Sequence, residues 1–74
     1  MTEKEAIVFL ITTGHQLTMD AFIWVYQLEE LAQEDCGKFI VVKESLSGES
    51  KDFIYEKAED AVDHYLQLVK EWRG

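Results

Sequence analysis

The sequence predicts a small α+β domain of order β-α-β-β-α, with two helices packed on one face of a three-stranded sheet. Three observations carry that expectation. The stretch from Lys57 to Arg73 is strongly amphipathic, two β-rich segments flank a turn cluster around Gly48, and two apolar segments upstream are separated by Gly14. At 74 residues the chain has room for a single domain, 1–74, and a chain this short buries only about 60% of the surface that unfolding exposes. Its own core is therefore thin, and self-association is a natural source of further stability.

The carboxyl-terminal helix is the clearest element. Ala58, Ala61, Val62, Tyr65, Leu66, Val69 and Trp72 recur at helical spacing and define one buried face. Glu59, Asp60, Asp63, Gln67, Lys70 and Glu71 lie opposite, with the acids crowding the first turns and Lys70 and Arg73 closing the last, as the helix dipole favours. Upstream, residues 38–44 and 51–55 are rich in β-branched and aromatic side chains. Ser45 to Ser50 between them is a turn-forming cluster in which Gly48 can take positive φ, so the whole reads as a β-hairpin with a polar, exposed tip.

The first half of the chain is two-sided. Thr18 to Asp35 reads best as a helix, with Thr18 as N-cap, Asp20 in the first turn, Leu17 and Phe22 placed for a hydrophobic staple and Gly37 just past the end. Against this, Phe22 to Tyr26 is an unbroken run of bulky residues with high β propensity, which a hairpin turning at Gly14 would use as a strand. Glu5 to Thr13 has the same ambiguity: its β-branched residues favour a strand, while Thr2 and Glu5 have capping-box spacing and Gly14 could close a short helix. The strand is preferred, because a two-stranded hairpin alone is marginal in water. Two other orders are consistent with the pattern. One is a ββαββα pseudo-repeat that equates Gly14 with Gly48; the other, ααββα, makes both upstream segments helical.

Composition excludes several functions. Seven Lys and Arg against fifteen Asp and Glu give a formal net charge of −8, the wrong sign for neutralising phosphates or an anionic membrane, so direct nucleic-acid and membrane binding are not expected. A single cysteine, Cys36, rules out an intramolecular disulfide. The apolar runs Ala6 to Ile11 and Ala21 to Tyr26 fall far short of the roughly 20 residues needed to span a bilayer. The opening Met1 to Glu5 lacks the positive segment and cleavage site of a secretory signal, so a complete cytoplasmic protein is the expectation.

No catalytic, cofactor-binding or metal-binding residues are expected. Cys36 sits between Asp35 and Gly37, where carboxylate charge disfavours a thiolate nucleophile. Ser45, Ser47 and Ser50 belong to turn chemistry, and no glycine-rich phosphate loop is present. Asp60 and His64 share a helical face at i and i+4, but neither His15 nor Cys36 completes a closely spaced ligand set, and His64 is expected at the surface beside the acids. The protein therefore reads as non-enzymatic.

Two surfaces remain as candidates for function. Glu56, Glu59, Asp60 and Asp63 project from the start of the last helix at separations that bring side chains within roughly 5 to 6 Å, and Glu49 and Asp52 on the hairpin extend the negative field. Such a row fits an interaction module that binds a basic surface on a partner protein. In its sharpest form it is an inhibitor of phage or mobile-element type, masking a nucleic-acid-binding site as a crude mimic of backbone phosphates. The alternative rests on the aromatics, which are many for so small a core. The run from Phe22 to Tyr26 cannot turn every side chain inward, so Phe22, Trp24 and Tyr26 are candidates for an apolar interface, in a homodimer or a structural or regulatory subunit.

Overall fold

The computed structural model describes residues 2–14, 16–28 and 37–73. The chain runs α1 (Glu3–Thr13), β1 (Thr18–Asp20), β2 (Ile23–Gln27), β3 (Phe39–Glu44), β4 (Ser50–Tyr55) and α2 (Ala58–Arg73). The strands form one antiparallel sheet in sequence order, and both helices pack on the same face of it and on each other. The architecture is α+β as expected, but among the described residues the sheet has four strands and the order is α-β-β-β-β-α.

The expected strand over 5–13 is helix α1. Thr2 is its N-cap, with extended backbone (φ −79°, ψ 164°) and a side-chain oxygen that accepts from the Glu5 N–H at 3.2 Å. Glu3 and Glu5 in the first turn suit the helix dipole. The β propensity of Ile7 and Ile11 is overridden because their i, i+4 spacing lets both enter the core beside α2, where each is buried. The Thr12 and Thr13 hydroxyls donate back to the carbonyls of Val8 and Phe9, so even the poor helix formers at the end are accommodated.

The expected helix beginning at Thr18 is a hairpin, so Thr18 caps nothing and Leu17 and Phe22 form no staple. Asp20 pairs with Ile23 across a two-residue loop, and Ala21, the first loop residue, takes φ 54°. The tight turn sits at Ala21 and Phe22 rather than at Gly14, which is αR and donates to the Leu10 carbonyl. The rest of that expected helix, beyond residue 28, lies outside the described residues.

In the second half the elements agree with expectation, but the buried face of α2 takes in Leu68, whereas Leu66 is half-buried and Trp72 is 50% accessible. The β3–β4 hairpin closes with the Ser45 N–H donating to Glu49 O at 2.7 Å and the Gly48 N–H to Ser45 O at 3.0 Å, with Gly48 at φ 91°. Helix α2 buries Ala58, Ala61, Val62, Tyr65, Leu68 and Val69. Under the two helices the sheet contributes Ile23, Val25, Phe39 and Val41, with Phe53 and Tyr55 at the margin. Arg73 donates to Asp20, and the Trp72 ring meets Phe22 edge-on at 5.6 Å, so the end of α2 is tied to the β1–β2 turn.

Candidate functional site

Strand alternation sorts the sheet into two faces. Ile23, Val25, Phe39 and Val41 point to the helices, so Trp24, Tyr26, Ile40 and Val42 point the other way. The register assembles two rows on that outer face: Met19, Trp24, Val42 and Asp52 lie side by side across all four strands, and Tyr26, Ile40 and Ile54 across three. Six of those seven residues are apolar or aromatic. No described helix covers them.

Burial within this face is graded. Ile40 and Val42 on the central strand are only 7% and 6% accessible although they do not belong to the helix-side core. Across the β2–β3 pairing Val42 lies beside Trp24 and Ile40 beside Tyr26, both of which are half-buried. Met19 at 62% and Ile54 at 47% stand open at the edges. The result is an apolar patch with a filled centre and accessible flanks, of the kind that marks an interaction surface.

Of the three aromatics singled out in the sequence, two come together here and one does not. Trp24 and Tyr26 belong to the outer face, whereas Phe22 sits in the β1–β2 loop against Trp72. Met19, Ile40, Val42 and Ile54 were missed. The available signal was the run Phe39 to Val42, apolar at every position, which is the pattern of a strand buried on both sides.

The acids are divided between surfaces. Glu56, Glu59, Asp60 and Asp63 are exposed around the start of α2, whereas Asp52 stands on the outer face of the sheet, paired with Val42, and Glu49 at the hairpin tip. The α2 cluster also has a resident cation. Lys4 Nζ of α1 lies 2.8 Å from Asp63 Oδ1, and this hydrogen bond, reinforced by Asp63, Glu59 and Asp60 charge and opposed by burial, holds the ammonium above its ordinary range. The negative field that the sequence places along one side is thus partly compensated by α1 and broken by the sheet.

His64 is half-buried rather than at the surface. Its Nδ1 is hydrogen-bonded to Tyr55 Oη at 2.6 Å, and its ring meets Phe53 edge-on at 4.5 Å. It ties α2 to β4; His15 and Cys36 lie outside the described residues. Among the described residues no group of three or more His, Cys, Asp or Glu is arranged to hold a metal, and no helix is long and apolar enough to cross a membrane. The chain matches no protein-family model, no curated protein and no solved structure.

Proposed function

We propose that this is a non-enzymatic protein-interaction domain that works through the outer face of its sheet, which no described helix covers. The observation that supports it is the seven-residue, two-row surface built on Trp24, Tyr26, Ile40, Val42 and Ile54, on which β3 is apolar towards both sides while helices cover one. Burying a Trp and Tyr patch of this kind is the usual energetic centre of a protein contact. The acidity serves solubility, since a net charge of −8 keeps the chain dispersed.

A second reading, binding of a basic protein surface or inhibition of a nucleic-acid-binding protein, is favoured by the exposed Glu56, Glu59, Asp60 and Asp63. Site-specific photocrosslinking in native lysate separates the two. A crosslinker at Ile54 is expected to form adducts equally at about 50 and 300 mM salt, because apolar contacts are not screened. Adducts formed only from position 59, and lost as screening tightens below about 10 Å, would replace the sheet-face reading with the acidic one.

A further inference from the structure

We infer that the groove along the outer side of α1 takes a basic amphipathic helix of a partner protein, with an apolar side chain seated between flanking Lys or Arg residues. The inference rests on the acidic reading, to which it adds an apolar determinant and the form of the partner, and it is independent of the sheet face.

Helix α1 is apolar on two sides. Ile7 and Ile11 enter the core, yet Phe9 is 57% and Leu10 37% accessible. A helix with that pattern belongs in an interior, and the described chain leaves its second side open. Along that side runs a groove of 350 Å³ lined by Lys4, Glu5, Val8, Phe9, Thr12 and Glu59. Val8, which packs against the core, and Phe9 give it apolar walls. Thr12 adds no open hydroxyl, because its Oγ1 donates to the Val8 carbonyl at 2.6 Å.

Charge defines the occupant. Glu5 of α1 and Glu59 of α2 line the groove from two helices, and Asp60 and Asp63 follow as further exposed acids on α2. Lys4, the one cation among the described lining residues, is already paired with Asp63. The segment 29–36, outside the described residues, holds Glu29, Glu30, Glu34 and Asp35 and no Lys or Arg, so wherever it lies it deepens the negative field. Nucleic acid and anionic lipid share that sign and are repelled. A second copy of α1, with Glu3 and Glu5 against Lys4, brings acid to acid. A helix with an apolar stripe and basic flanks suits both the walls and the acids, in the mode by which amphipathic helices lie in grooves.

Isothermal titration calorimetry of the full chain with a Leu/Lys peptide of about 14 residues, its leucines at helical spacing, tests this at about 50 and 300 mM salt. The expected result is saturable binding that weakens as salt rises. Phe9→Ala, a change at an exposed position, should weaken it at least about 10-fold at both salt concentrations with an unchanged circular dichroism spectrum. Glu5→Lys with Glu59→Lys should weaken it as much at the lower salt and remove most of the salt dependence. Ile54→Ala, on the sheet face, should bind as the wild type does. Thr12→Lys, which places a cation at the groove, takes the place of Phe9→Ala if that variant does not fold. A wild-type chain that does not bind the peptide overturns the inference, as does binding weakened by Ile54→Ala and not by Phe9→Ala. Loss with the charge variant alone overturns the groove and leaves the acidic reading standing; loss with Phe9→Ala but no response to charge or salt overturns the acidic reading and the inference with it.

Discussion

Ala21 holds the first hairpin in a conformation that its side chain resists. At φ 54° it is the sole described non-glycine residue with positive φ, in the loop position that hairpins usually give to glycine. Ala21→Gly is expected to raise stability by about 0.5 kcal/mol, the relief of left-handed strain minus the entropy glycine adds to the unfolded chain, read as a higher urea midpoint. The opposite change at Gly48, where φ is 91°, should cost about 1 kcal/mol by the same assay. The missing glycine also explains why this hairpin was illegible: Gly14 and Gly37 advertise turns, and Ala21 does not. Tyr65 adds a pH dependence. Burial, with help from Asp20 and Glu3 and opposition from Arg73, pushes its phenol above the ordinary 10.0. A group whose folded value is raised contributes fully below the unfolded value and loses that contribution as pH climbs through the folded one. Urea midpoints should therefore fall above about pH 10, and less steeply in Tyr65→Phe.

Elements were legible where two signals agreed. In α2 the helical period, the acidic start and the basic end point the same way, and the β3–β4 hairpin combines β-rich arms with Gly48. In α1 they conflict: Ile7, Val8, Ile11, Thr12 and Thr13 argue for a strand, whereas the local evidence for a helix is the Thr2 and Glu5 cap. What decides is tertiary, the reach of Ile7 and Ile11 into α2 and β2, and nothing local records that. The candidate surface was half legible for a similar reason. Trp24 and Tyr26 could be suspected from the crowding of Phe22 to Tyr26, but their company with Met19, Val42 and Ile54 exists only once the register is set. If the cap helps hold α1 in place, Thr2→Ala should cost about 1 kcal/mol. Ile11→Ala, which empties a fully buried site, should cost about 2 to 5 kcal/mol, both read by chemical denaturation.

At the scale of the whole molecule the described residues form a two-layer slab whose two candidate surfaces lie on opposite sides: Glu59, Asp60 and Asp63 on the helix layer, Trp24, Tyr26 and their neighbours on the sheet face that no described helix covers. That placement makes the two candidate surfaces separable, since Glu59→Lys with Asp63→Lys leaves the sheet untouched and should change stability by no more than about 0.5 kcal/mol. That double variant is expected to keep the wild-type crosslinking pattern from position 54. The packing of α1 on α2, sealed by Lys4 and Asp63, has a consequence for biosynthesis. The strands pair with near neighbours and can form early, but the lid over Ile23, Val25, Phe39 and Val41 is closed by α2, which follows all of these strands in the chain. Until then the nascent meander presents apolar side chains on both of its sides. This small domain completes its fold only after synthesis of α2, and in that interval its uncovered apolar surface is open to aggregation.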